Sequence, residues 1–211
     1  MLSKGNLIVI SAPSGSGKTS LASRVVKEVP RLKFSVSHTT RKSRRGERHG
    51  VDYFFVSEQQ FKGMVQRNAF LEYASVYGHY YGTSQTCVHS ELEAGNDVLL
   101  DIDIQGALKV KERVPEALMV FLLPPSLQVL RTRLESRGLD DENSVEERLR
   151  IAQDEVNYYS NYEYVIINED IEKSSLQLER IVLAARCRLT KQKGQAEEIL
   201  RTFREQEEAK K

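Results

Sequence analysis

The octapeptide Ala12-Pro13-Ser14-Gly15-Ser16-Gly17-Lys18-Thr19 constrains this chain more than any other feature. It lies between a continuous apolar run, Asn6–Ser11, and a segment, Ser20–Glu28, whose apolar residues recur at helical spacing until Pro30. It fits the Walker A phosphate-binding pattern at seven of eight positions, with Ala12 where the first glycine usually stands. The chemistry needs this strand, loop and helix order. Glycines at Gly15 and Gly17 let backbone N–H groups turn inward around a polyphosphate, at the positive end of the following helix. Lys18 is placed to neutralise the β- and γ-phosphates, and the Thr19 hydroxyl is a ligand for Mg²⁺. Such a loop specifies an NTP-phosphate site without naming the reaction, so GTPases, ATPases and small-molecule kinases all stay open. The absence of an N-K-x-D guanine motif weighs against a GTPase.

Three more short apolar runs, Val98–Ile102, Ala117–Leu123 and Tyr164–Ile167, show little two-residue alternation. That is the pattern of parallel strands covered on both faces. Helical segments lie between them. Ser126 opens Leu127–Arg137, and Ser144 with Glu147 reads as a capping box for Val145–Tyr158. The alternation predicts an α/β fold: a parallel sheet flanked by helices. Residues 34–95 differ, with aromatic-rich strands at Tyr53–Val56 and Leu71–Tyr77, a Gly78-His79 turn, and a helix begun by Ser57 and Gln60. They are expected to form an inserted small β-rich lobe. From Ser174 onward the pattern is helical, and Glu205–Lys211 is expected to fray.

Lys plus Arg (31) nearly balances Asp plus Glu (30), so the chain lacks the basic excess of a non-specific nucleic-acid binder, and any anion site must be local. No apolar stretch approaches the roughly 20 residues of a membrane helix, and the N-terminus has no signal-peptide pattern. The expected address is the cytoplasm. Cys87 and Cys187 stand a hundred positions apart without a nearby His pair, which suggests neither zinc nor a disulfide; both are expected to be packing residues.

A second cationic stretch, Ser37-His38-Thr39-Thr40-Arg41-Lys42-Ser43-Arg44-Arg45-Gly46-Glu47, sets Arg and Lys among hydroxyls. From these residues alone, a solvated basic loop and an anion site are equally good readings. Here, however, the sequence closely resembles the guanylate kinase family, whose S-x-T-T-R-x-x-R-x-G-E segment follows a Walker A loop at this distance. The likeness continues through Asp52-Tyr53, Phe70-Leu71-Glu72, Tyr80-Tyr81-Gly82-Thr83 and Leu100-Asp101-Ile102-Asp103-Ile104-Gln105-Gly106, and on to Asn168. It covers nearly the whole chain.

The resemblance implies a P-loop kinase that moves the γ-phosphoryl group of MgATP onto GMP. Its core would comprise about 1–33, 96–125 and 160–211, its GMP-binding lobe about 34–95, and a helical lid about 126–159. ATP would be held by residues 12–19, from Ala12 and Pro13 through Ser14, Gly15, Ser16, Gly17 and Lys18 to Thr19, with Arg133, and with Asn168 at the adenine. Arg41 and Arg44, with the hydroxyls of Tyr53 and Tyr81, would grip the GMP phosphate, a task suited to guanidinium forks. Glu72 would accept from the guanine N1–H and N2 amine, with Ser37, Thr83 and Asp103 completing the pocket. Adenine has no N1–H, so a desolvated Glu72 would be left unpaired by it. Mg²⁺ would bind at Thr19 and Asp101. Lys18, Arg41, Arg44, Arg137 and Arg148 would neutralise the charge developing in transfer. Two alternatives stay open: a non-catalytic guanylate-kinase-like binding module, disfavoured because Gly17, Lys18 and Thr19 are intact, and a P-loop kinase with another acceptor. Partners would be GMP and ATP, with no nucleic acid and no membrane, and with homo-oligomerisation undecided.

Overall fold

The apolar run after Asn6 becomes strand β1 (Leu7–Ser11), buried along its whole length. The computed structural model describes residues 4–76, 78–136 and 142–208. In chain order, the elements after β1 are α1 (Lys18–Glu28), β2 (Leu32–Phe34), β3 (His38–Thr39), β4 (Phe54–Phe55), α2 (Glu58–Gln66), β5 (Phe70–Val76) and β6 (His79–Ser84). There follow α3 (Gln85–Glu93), β7 (Asp97–Asp101), α4 (Ile104–Arg113), β8 (Leu118–Leu123), α5 (Leu127–Glu135) and α6 (Glu142–Glu155). A 3₁₀ turn over Val156–Asn161 leads to β9 (Tyr164–Ile167), α7 (Ile171–Arg186) and α8 (Leu189–Glu208).

Five strands form a parallel sheet in the order β2-β7-β1-β8-β9. Successive residues of a strand point to opposite faces, and in the three inner strands β7, β1 and β8 both faces are covered. Ile8 and Ile10 pack with Leu21 and Val25 of α1 and with Leu178 and Val182 of α7. Leu7 and Val9 pack on the other side with Val88 and Leu92 of α3 and Ala107 and Val110 of α4. This double burial is why the inner strands are apolar between their ends. The edge strand β9, expected to be covered on both faces, leaves Val165 and Ile167 exposed because, among the described residues, no strand or helix lies beyond it on that side. Each such Leu, Ile or Val contributes about 1.5–3 kcal/mol on leaving water.

The second sheet has four strands in the order β4-β3-β6-β5. Its β5–β6 hairpin turns beside Gly78, whose φ of 77° suits glycine. The helix before it is capped as the sequence predicts: Gln60 N–H donates to Ser57 Oγ, and Ser57 N–H donates to the Gln60 side chain. Phe61 of α2 is buried and stacks on Phe70 at 4.5 Å and Tyr80 at 5.4 Å. The β5–β6 register shifts between Phe70 and Glu72. This bulge frees Leu71 to join the second core cluster and leaves ladder carbonyls to be satisfied elsewhere. Arg113 of α4 does so, donating to Phe70 O at 2.9 Å and Leu71 O at 2.7 Å. The small sheet is thereby locked to α4, and Glu72 is set opposite Thr83.

Several expectations are corrected. The helix α6 is already in progress at Glu142, so Ser144 lies in its first turns and is not its N-cap. A serine within a helix costs only about 0.5 kcal/mol, too little to dictate where the helix starts. That helix also ends at Glu155, with Tyr158 in the 3₁₀ turn. The strand expected over Tyr53–Val56 shrinks to Phe54–Phe55. Cys87 and Cys187 are exposed free thiols rather than packing residues, because they fall on the solvent side of α3 and at the C-cap of α7. No helix among the described residues is long and apolar enough to cross a membrane.

Candidate active site

Chain order brings a loop out of β1 at the carboxyl end of the parallel sheet, the edge where ligands bind in open α/β folds. Gly15 and Gly17 take φ of 93° and 90°, a region that other residues enter only at a cost. The turn at Gly17 starts α1 at Lys18 with no side chain capping it, so the first-turn amides face the loop interior. Parallel pairing of Ile10 with Asp101 sets the carboxylate that ends β7 beside this loop. Lys18 Nζ lies 2.5 Å from Asp101 Oδ1 and donates to Ile102 O at 2.7 Å. Thr19 Oγ1 donates to Asp101 Oδ2 at 2.7 Å.

The loop is braced from beneath. Asn168, only 3% exposed, donates its amide to Ser16 O at 2.7 Å, and Arg133 of α5 donates to Asn168 O at 2.8 Å. A Cβ on Gly17 would come within 2.8 Å of Asn168 Nδ2, and one on Gly15 within 2.7 Å of Leu134 on α5. Thus the same two glycines that allow the backbone turn also allow neighbours to close on it. Asn168, expected at the adenine, has its amide nitrogen engaged by the loop, while its Oδ1 is buried without a partner.

Across a cavity of about 640 Å³ the other wall is built from the four-stranded sheet and α4. Glu72 is buried, and Thr83 Oγ1 donates to its Oε1 at 2.6 Å. Burial pushes the Glu72 carboxyl up to about 7; the Thr83 hydroxyl opposes this, and the charge of Asp103 adds to it. Asp103 caps α4, accepting from Gly106 N–H at 2.8 Å. Tyr53 and Tyr81 meet edge to face at 5.9 Å, and the Arg41 guanidinium lies 5.4 Å from the Tyr53 ring centre.

The structure brings the loop, Ser37, Tyr53, Glu72, Tyr81, Asp101 and Asp103 onto one cavity wall or another. Thr83 stands behind Glu72. Arg41 is half-buried behind Tyr53, its guanidinium forked on Glu47 at 2.7 and 3.0 Å, and Arg44 is exposed on the same turn. Arg133 and Asn168 lie under the loop, not on the cavity wall. Arg148 is half-buried on α6, and Arg137 lies outside the described residues.

Two residues of the site escaped sequence reading. Glu47 orients Arg41 and also accepts from Arg44 N–H at 2.7 Å; its place in the cationic stretch was the available signal. Glu155, the last residue of α6, lines the cavity with Oε2 buried and unpartnered. Burial pushes its carboxyl up, against the Ser14 amide and Lys18. One acid among many on a charged helix carries no sequence signal. A larger cavity, about 1080 Å³, lies beside α8. Of its charged groups, Arg186 pairs with Asp97 at 2.7 Å and Lys191 donates to the carbonyls of Lys4 and Gly5.

A parallel sheet feeding a glycine loop, with Lys18 and Thr19 gathered on a strand-end carboxylate and a second polar wall facing them, defines a P-loop nucleotide kinase. The sequence profile of the family described as guanylate kinase matches residues 4–185. A guanylate kinase of Legionella pneumophila (strain Lens) is 46% identical over 93% of this chain and 94% of its own length. One from Caldanaerobacter subterraneus is 48% identical over 90% of this chain and 92% of its own length. The crystal structure of guanylate kinase from Anaplasma phagocytophilum superposes with a TM-score of 0.74 at 33% identity, covering 88% of each chain. The chain belongs to the guanylate kinase family.

Proposed function

We propose that this chain transfers the γ-phosphoryl group of ATP to the phosphate of GMP, giving ADP and GDP, by in-line attack without a covalent intermediate. The observation that carries this reading is the buried Glu72 carboxylate facing the phosphate loop across one cavity. A carboxylate accepts from both N1–H and the N2 amine of guanine, and a base lacking those donors leaves it unpaired, a mismatch worth roughly 10⁴-fold in discrimination. Ser37, Thr83 and Asp103 complete the base pocket; Thr83 acts through Glu72, which it already contacts.

At the acceptor phosphate, Arg41, Arg44, Tyr53 and Tyr81 supply guanidinium and phenol donors, with Glu47 aiming the Arg41 fork. At the donor, residues 12–19 hold the polyphosphate through the backbone amides that follow Pro13, and Lys18 neutralises it. Asn168 and Arg133 support the loop that does so. Arg137 and Arg148 belong to a lid of about 126–159 that closes over ATP, against a core and a GMP-binding lobe of about 34–95. The acceptor oxygen of GMP is already ionised near neutral pH, so the protein supplies positioning and charge neutralisation rather than a nucleophile.

The donor set suits Mg²⁺. The Thr19 hydroxyl and Asp101 carboxylate offer hard oxygens, and among the described residues no group of three or more His, Cys, Asp or Glu gathers to cage a metal. Mg²⁺ usually takes one or two protein oxygens together with substrate phosphates. When bound there it would neutralise charge on the β- and γ-phosphates. A cytoplasmic address, within purine nucleotide metabolism, fits two soluble nucleotide substrates.

A coupled ADP-release assay with MgATP and GMP, AMP, CMP or UMP tests the proposal. Turnover is expected with GMP far above the other three. Equal turnover with AMP would remove Glu72 from base selection, and no ADP with any acceptor would make the chain a binding module.

A further inference from the structure

Gly106 is the third residue of α4, buried, with its N–H donated to Asp103. Helix geometry does not explain it. Glycine is a poor residue within a helix, and Gly106 has none of the left-handed φ that justifies Gly15 and Gly17. A Cβ at this position would stand 2.6 Å from Glu72 Oε2 and 3.2 Å from Glu72 Cδ, whereas its next neighbour, Ile102 Cδ1, lies at an ordinary 3.6 Å. Glu72 is what the missing side chain accommodates.

Flexible side chains usually move out of such conflicts, but Glu72 is held from three directions. It is 3% exposed, so its surroundings enclose it on every side but the cavity wall it lines. Its Oε1 is tied to Thr83 Oγ1 at 2.6 Å. Its strand is fixed at the bulge by the two carbonyl contacts from Arg113, which comes from the same helix as Gly106. The strand therefore cannot retreat from α4, and the carboxylate can move only toward the cavity it faces.

We infer that Gly106 is a specificity-determining position: its bare helical turn lets the Glu72 carboxylate lie against α4 and so sets the point at which the guanine edge is met. The inference rests on Glu72 being the guanine acceptor. A side chain at 106 drives the carboxylate into the space for the base or off Thr83, and either move spoils the paired geometry while the phosphate loop is untouched.

Gly106→Ala tests this by steady-state kinetics with both substrates varied, alongside thermal melting. The KM for GMP is expected to rise at least about tenfold, the scale of one lost charge-assisted contact, with the KM for ATP changed less than about twofold. The GMP-over-AMP preference should fall in parallel. Alanine improves helix propensity, so a merely structural role would leave GMP recognition intact. Gly194→Ala on α8, where nothing lies within 4 Å of the added carbon, is the control and should match the parent. Glu72→Gln, measured beside it, separates the two ideas. If it weakens GMP while Gly106→Ala does not, the role of Gly106 is overturned and Glu72 stands. If neither weakens GMP, the guanine-acceptor reading falls and this inference with it. Should Gly106→Ala fail to fold, combination with Glu72→Ala removes the obstructing carboxylate: recovered folding supports the inference, and persistent misfolding overturns it.

Discussion

The two walls of the cavity are built on different principles. The donor wall is main chain: successive amides of residues 14–19 held in shape by two glycine turns, with one lysine and one hydroxyl added. The acceptor wall is side chain: Glu72 from β5, Tyr81 from β6, Tyr53 before β4 and Asp103 at the start of α4. A backbone site recognises what all nucleoside triphosphates share, because every residue of the loop except Pro13 carries the same N–H. A side-chain site can match one base, because donors and acceptors are chosen individually. Selectivity is therefore expected to reside in the second wall and turnover in the first.

Lys18→Ala should give the largest effect. Removing one preorganised charge from the developing phosphoryl transition state costs about 10²–10³ in kcat, while GMP binding by calorimetry stays measurable. Undiminished turnover would end the assignment of the donor wall.

Next comes Glu72→Gln, which replaces an acceptor of two donors with a group that must present one of its own. GMP affinity should fall by about 2–4 kcal/mol with ATP affinity retained. The same residue imposes a pH signature. Its carboxyl sits near 7 when buried, and guanine binds only the ionised form. GMP affinity in the parent should therefore be level above that pH and decline toward tenfold per unit below it. In the ligand-free protein the sign reverses. The folded state holds the proton more tightly than the unfolded one, so this group's contribution to stability falls as pH rises from about 4.5 to about 7. Calorimetric titrations and melting curves at several pH values check both, and Glu72→Gln should lose both dependences.

A smaller loss is expected from Thr83→Val, which leaves Glu72 Oε1 buried without its donor. GMP binding at neutral pH should weaken by about 1–3 kcal/mol. Because the hydroxyl holds the carboxyl down, the pH midpoint for GMP binding should also move up. A midpoint that stays put would mean Thr83 does not tune Glu72.

The smallest effect separates the walls from their supports. Asn168→Ala removes one hydrogen bond to Ser16 O beneath the loop, worth about 1 kcal/mol and thus roughly fivefold in the KM for ATP, with the KM for GMP unmoved. A matching rise for GMP would show the two walls to be mechanically coupled.

Much of this was legible in one dimension. The loop at residues 12–19 could be read because the chemistry needs consecutive residues, and strands β1 and β8 could be placed within a residue because burial on both faces forces continuous apolar sequence. Strand β9 was found by its apolar run although Val165 and Ile167 of this edge strand are exposed. Capping at Ser57 and Ser126 was readable because a cap is a local contact across three residues. By contrast, β2 and β3 are too short to leave a periodicity, and Glu155 looks like any solvated acid until its surroundings are known.

The sequence by itself determined which groups the chain could bring to a polyphosphate, since local backbone conformation follows from neighbouring residues. Tertiary structure alone decided that Glu72 is buried rather than solvated, that Thr83 holds it, and that Gly106 makes room for it. Those relations join segments tens of residues apart through a strand register and a bulge, and energies of that kind exist only once the core has closed.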